Sequence, residues 1–262
     1  MSETSFEGWF GDEPEPVDPT KAAQRAFRTE RPKRFYKAAG LVEEAGGVVL
    51  ALDGRPARTP ARRPLLLPTR ALGEAVAAEW DAQGETIDPG TMPFTRLANS
   101  AIDGVAERRE PVIDDIAKYA GSDLVCYRAG EPERLVAEQA AAWDPVLAMI
   151  REETGARFVL SQGVTFVDQP PSALEAVRAR VAAETSPFRL AALHVMTTLT
   201  GSVLIALACA SGRLDPEAAW RAAHADEIYQ ESVWGEDAQA MARRAARRLD
   251  FLAAARTYAL AA

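Results

Sequence analysis

The sequence predicts an α+β protein: a small N-terminal β-rich domain followed by a larger α-helical domain. Three observations carry that expectation. Between residues 34 and 68, short strand-like runs are separated by Gly-containing turns. From residue 69 onward, apolar residues recur mostly at helical spacing. Aromatic content is only 7% and Ala is abundant, which suits helices. At 262 residues the chain can bury a real core. The division we expect is a flexible acidic tail over 1–30, a β-rich domain with one helix over 31–90, and a helical domain over 91–262. The joint falls near residues 84–93.

The elements follow in order. Residues 1–30 combine an acidic, Pro-rich run at 12–19 with the isolated aromatics Phe6, Trp9 and Phe10. This composition predicts disorder or a small docking peptide. Strands are predicted at 34–38, 41–45 and 48–52, broken at Gly40 and Gly46-Gly47. Asp53-Gly54 is a hairpin turn, since both residues tolerate positive φ. Thr69 is a helix N-cap; Leu72, Ala75, Val76 and Trp80 then share one face. Further helical stripes run from Phe94 to Val105 and from Pro111 to Tyr119. A helix is expected over 132–142, and Asp144-Pro145 reads as the cap and first residue of a new one. Segments 157–160 and 164–167 suggest a hairpin around Ser161-Gln162-Gly163. Helices then follow over 172–184 and 190–210, and from Asp215-Pro216 to about Trp234. Gly235 breaks that last one, and Glu236 or Asp237 starts the final helix.

Several function classes are disfavoured directly. A formal net charge of −8 does not suit non-specific nucleic-acid binding, which needs a basic face. Neither Gly-rich phosphate motif occurs, and neither does G-x-S-x-G. His194 and His224 are few for a metal site and have no partner at ligand spacing. His194 is therefore expected as a hydrogen-bonded core residue, and His224 as bonding Asp226 or Glu227. Adjacent Asp114 and Asp115 diverge by about 100° on a helix, so they do not make one acid/base site. Cys126 and Cys209 form no disulfide framework and suit a reducing compartment. No cofactor and no metal are expected.

Leu190 to Ala210 contains no charged residue and is long enough to cross a bilayer. However, His194, Thr197, Thr198, Gly201 and Ser202 form one small, polar stripe along it. A central helix buried in a bundle is the preferred reading, with His194 and Gly201 in structural roles and no stable membrane insertion. No secretory signal or transit peptide is recognised at the acidic N-terminus. Arg far outnumbers Lys, which with the Ala content suggests GC-rich bacterial coding. A bacterial cytoplasmic monomer is the expectation.

One stretch stands apart. Residues 226–237 read DEIYQESVWGED: five carboxylates, Tyr229, Trp234 and one Gly, with no Lys or Arg. Arg243, Arg244, Arg247 and Arg248 follow at once. Glu227, Glu231 and Trp234 share one helix face; Asp226, Gln230 and Val233 line the next. Carboxylates at the C-terminal end of a helix oppose its dipole. Two readings stay open: a core Trp with solvated acids, or a surface that binds a partner. A third, a metal-dependent hydrolase using these carboxylates, is the alternative function.

A set of segments in order resembles a known family. It runs from Arg34-Phe35-Tyr36-Lys37 through Leu52-Asp53-Gly54-Arg55-Pro56, Thr59-Pro60 and Ala78-Glu79-Trp80-Asp81. Met92-Pro93-Phe94-Thr95-Arg96-Leu97-Ala98-Asn99 and Ile102-Asp103 come next. Asp123-Leu124-Val125-Cys126-Tyr127-Arg128, Trp143-Asp144-Pro145, Tyr229-Gln230 and Trp234-Gly235-Glu236-Asp237 complete it. Over roughly residues 31–250 the chain resembles the assembly chaperones of F1-ATP synthase that act on the alpha subunit. The resemblance implies a non-enzymatic chaperone that shields the free alpha subunit's interface until it pairs with beta. In eukaryotic relatives it acts in the mitochondrial matrix. The family's acidic and tryptophan motif falls on Glu231, Trp234, Gly235, Glu236 and Asp237. Gln239 departs from the His of many relatives, which counts against a proton- or metal-linked role there. The expected partner-binding set is Asp226, Glu227, Tyr229, Gln230, Glu231, Trp234, Gly235, Glu236 and Asp237, with Met92 adding apolar cover. Trp80 is expected to be structural, because it shares the core-facing side of its helix.

Overall fold

A computed structural model describes residues 31–163, 165–235 and 237–262. The tail over 1–30, Glu236 and Val164 lie outside the described residues. Strands β1 (Ala39–Glu44) and β2 (Gly47–Leu52) form an antiparallel hairpin, Ala39 opposite Leu52 and Glu44 opposite Gly47. β2 pairs onward with β3 (Arg55–Pro56) and also with β4 (Leu66–Leu67). Asp53 and Gly54 take φ of 48° and 78°, both positive as the two-residue hairpin turn requires.

Residues 34–38 do not form the expected strand. Side chains satisfy their backbone instead: the Asp53 carboxylate accepts from Lys37 and Ala38 N–H groups at about 3.0 Å. These two backbone donors hold the Asp53 carboxyl below its usual pKa.

Helix α1 (Arg70–Asp81) lies on the sheet, capped by Thr69, whose side chain accepts from Leu72 N–H. Gly73 permits the approach: a Cβ there would sit 2.5 Å from Val48 Cγ2. α2 (Pro93–Ser100) runs without a break into one π-helical turn, Ala101–Val105. α3 (Arg109–Ala117) starts two residues before Pro111.

The expected break at Asp144-Pro145 is absent. α4 (Glu133–Thr154) is one helix with Pro145 inside it. Pro forfeits a backbone hydrogen bond there. Burial on both sides of it outweighs that loss: Trp143, Val146, Met149 and Ile150 all enter the core. The Trp143 indole also donates to the Ala222 carbonyl at 2.7 Å.

The hairpin expected at 157–167 is not seen among the described residues. β6 (Ser161–Gln162) instead pairs in parallel with β5 (Tyr127–Arg128). Gln169 substitutes for a partner strand: its amide accepts from Val159 N–H and donates to Val159 C=O, at 2.8 and 2.9 Å.

After α5 (Pro171–Ala182), the apolar 190–210 stretch is two helices, α6 (Pro187–Thr200) and α7 (Val203–Ala210). Gly201 ends the first at φ 70°, and Ser202 caps the second by accepting from Ile205 N–H. No helix among the described residues is long and apolar enough to cross a membrane. The run expected from Asp215 to Trp234 is likewise two helices, α8 (Pro216–Ala223) and α9 (Ala225–Trp234), parted at His224. α10 (Ala238–Leu260) packs on α6, α2 and α8, and its end returns to α1, where Thr69 Oγ1 bonds the Leu260 carbonyl. A single cluster of buried residues runs from Leu50 on the sheet to Phe251 on α10. The architecture is mixed α+β and helix-rich, as the sequence predicts.

Candidate functional site

The break at His224 decides the electrostatics of residues 226–237. The ring of His224 stacks on Trp220 at 3.9 Å and its Nδ1 bonds the Trp220 carbonyl at 2.8 Å. Burial lowers its pKa, so the neutral ring is favoured. This bond to the preceding turn replaces the expected one to Asp226 or Glu227. With α9 starting at Ala225, Asp226 and Glu227 occupy its first turn. Carboxylates there complement the helix dipole rather than oppose it.

Three of the acids, Asp226, Glu231 and Asp237, have partners or serve as caps. Asp226 accepts from Gln139 Nε2 at 2.7 Å, tying α9 to α4. Glu231 pairs with Arg244 of α10. Asp237 caps α10 by accepting from Gln239 and Ala240 N–H groups, at 2.8 and 3.1 Å. The Ala240 and Gln239 donors keep its carboxyl below the usual range. Gly235 turns the chain at φ 92°. Tyr229 is half-buried beneath Arg134, whose guanidinium lies 5.4 Å from the ring.

α9 and the start of α10 enclose a cleft of about 440 Å³. Glu227, Gln230 and Glu231 form one wall; Arg243, Arg244 and Arg247 form the other. Trp234 stands at its edge, 78% exposed, and so is not core. Val233 is 50% exposed beside it. Sequence reasoning left the arginines and Val233 out of the site. The sign reversal after Asp237 signals the arginines; nothing marks Val233, because an apolar residue on a helix reads as core. Among the described residues, no three His, Cys, Asp or Glu side chains gather as a metal site would require.

The other expected positions lie elsewhere. Met92 is 2% exposed and belongs to the core, so it offers no apolar cover to a partner. This corrects its placement at the surface: it precedes Pro93 where the chain turns inward to start α2. Trp80 is half-buried against Tyr36 at 5.4 Å. Its indole donates to Thr95 Oγ1 at 3.1 Å. Glu79 accepts from Phe94 N–H, Thr95 N–H and Thr95 Oγ1 at 2.7–2.8 Å, capping α2, whose N-cap residue Met92 makes no side-chain cap bond. Burial raises the Glu79 pKa against the pull of those donors. Asp81 accepts from Ala39 N–H at 2.9 Å. Glu79, Trp80 and Asp81 thus fasten α1 to α2 and to β1. His194 is not in the core: its side chain is 34% exposed and bonds Asp115 at 2.7 Å.

Comparison with known proteins places this architecture. A family model described as ATP12 chaperone protein matches residues 33–151. The crystal structure of Atp12 from Paracoccus denitrificans is 42% identical, with a TM-score of 0.82; the match covers 88% of this chain and 99% of that one. The Atu1473 protein from Agrobacterium tumefaciens is 46% identical at a TM-score of 0.84, covering 94% and 92%. Protein atp12, mitochondrial, of Schizosaccharomyces pombe is 24% identical over 220 residues, 79% of this chain and 75% of that protein. With the same fold held at this identity over nearly the whole length of two solved relatives, the chain belongs to the ATP12 chaperone family.

Proposed function

We propose that this chain is an assembly chaperone for the F1 sector of ATP synthase. It binds the free alpha subunit and shields its interface until beta arrives. Its place of action is the bacterial cytoplasm, and it works as a monomer without nucleotide. Membership of a chaperone family supports the general reading, and the resemblance in sequence supports the choice of alpha.

The observation that carries the site is the exposure of Trp234 at the rim of a cleft with one acidic and one basic wall. An exposed Trp beside ordered charges is a typical hot-spot composition. The indole would cover apolar surface on the partner, and the charges would steer encounter and choice of partner. The carboxylates give the hydrolase alternative little support, because Asp226, Glu231 and Asp237 are already engaged by Gln139, Arg244 and the start of α10.

The test is a pull-down with the purified chain against free alpha subunit and against assembled F1. Capture of free alpha alone is the expected result. Equal capture of both, or of neither, overturns the reading.

A further inference from the structure

A second cleft lies away from α9. It has a volume of about 730 Å³ and opens over the π-helical turn at Ala101–Val105. Leu97, Val105, Val112 and Val195 are among its apolar walls. Two features suggest that it receives something. A π-turn is an uncommon distortion that recurs at functional sites. Asn99, on the cleft wall, has a buried Oδ1 that no donor among the described residues reaches. Such an oxygen costs free energy unless a ligand supplies an N–H.

The charges say what kind of ligand. Asp103 is held by Thr59 Oγ1 and the Ala61 N–H, at 2.7 and 3.0 Å. Asp115 is held by Lys118 and His194. Arg108 has no ion-pair or side-chain hydrogen-bond partner among the described residues, and its guanidinium reaches over the bare Cα of Gly104. The cleft therefore suits a peptide that presents an apolar side chain beside a carboxylate.

This chain carries such a peptide itself. Residues 6–13 read FEGWFGDE, aromatic and acidic in alternation. We propose that this cleft is the docking site of the chain's own N-terminal segment, with Trp9 and Phe10 on the apolar walls and Glu7 or Asp12 facing Arg108. The reach is sufficient. Arg31 is anchored to Asp88 at 2.9 Å, just ahead of the helix that ends beside Asn99 and Ser100. Residues 14–30 can span about 50 Å when extended, several times the roughly 12 Å length of α2. The docked segment is independent of the surface at Trp234 and of the identity of any partner there.

The test uses the full chain with nitroxide labels at Ser5→Cys and Ala106→Cys. Cys126 and Cys209 are buried, with thiols pushed up to about 12, so they stay unlabelled. Pulsed EPR is expected to give one narrow distance population. Arg108→Glu should abolish it, as should Trp9→Ser with Phe10→Ser; Arg108 is exposed, so reversing its charge should leave the fold intact. A broad distribution in the parent labelled chain overturns the proposal and leaves the cleft to a segment of another protein. A narrow population that survives both variants overturns it as well.

Discussion

Trp80 and Thr95 are joined by a 3.1 Å hydrogen bond, and the same Thr95 hydroxyl donates to Glu79 at 2.7 Å. One hydroxyl thus serves two neighbours on α1 and fixes the angle at which α2 leaves it. Thr95 is 6% exposed, so water cannot stand in for it. Thr95→Val should cost about 1–3 kcal/mol, because it strands an indole N–H and takes one donor from a carboxylate. Trp80→Phe should cost a similar amount, and the double variant less than the sum. Urea unfolding of the three variants measures this. Additive losses would mean that the two residues act separately.

Asp123 is fully buried and receives N–H groups from Val125 and from Leu204 at the start of α7. Burial outweighs these donors and raises its pKa from 3.8 to about 6. A carboxyl raised in the fold binds its proton more tightly there than in the unfolded chain. Its contribution to stability is therefore complete below pH 3.8 and is lost as pH rises through about 6. Two pKa units correspond to about 3 kcal/mol. Asp123→Asn should be less stable at pH 4.5, since an amide cannot accept at both positions, but its stability should change less between pH 4.5 and 7. Chemical denaturation of both chains at the two pH values decides it; parallel pH slopes would refute the assignment.

Trp234 and Asp237 sit three residues apart but should respond oppositely. Trp234→Ser removes an exposed ring and should leave the melting temperature unchanged while partner capture falls at least tenfold, a typical hot-spot loss. Asp237→Ala removes the cap of α10 and should lower the melting temperature. If Trp234→Ser melts early, the ring is structural, and the candidate surface is misplaced.

Glu231 and Arg244 can be exchanged. Glu231→Arg alone places like charges together and should destabilise the α9–α10 pair by up to about 1 kcal/mol. Adding Arg244→Glu should restore the fold. If the partner reads charge at this wall, the exchanged protein will be stable and yet bind poorly; if it binds as the parent does, the pair is only a brace.

The parts of the fold that were legible in the sequence are those set by local chemistry. Asp53-Gly54, the Thr69 cap and the Asp237 start are each decided by two or three adjacent residues. What was hidden depended on contacts distant in sequence. Pro145 stays within a helix whose core-facing side chains are buried on both sides of it, Trp143 among them with its bond to Ala222, far along the chain. The parallel pairing of Tyr127 with Ser161 has no local signature. Gly201 and Ser202 showed their small size but not that they divide a helix, since an unbroken apolar run looks the same on either side. The site was half legible. Composition singled out residues 226–237, while the break at His224 was missed, and with it the reason the acids are tolerated. Reading one long helix made Asp226 and Glu227 appear unfavourable, whereas they begin a new helix.

That break has a consequence for motion. A ten-residue helix is marginal by itself in water. α9 has no fully buried side chain among its described residues, and only a few side-chain ties, Gln139 to Asp226 and Arg244 to Glu231 among them, hold it to α4 and α10. The amides of α9 should therefore exchange with solvent at a far lower opening free energy than those of α7, seven of whose eight residues are buried. If the proposed partner surface is on α9, a grip mounted on a segment that unravels before the body does can let go without any fuel.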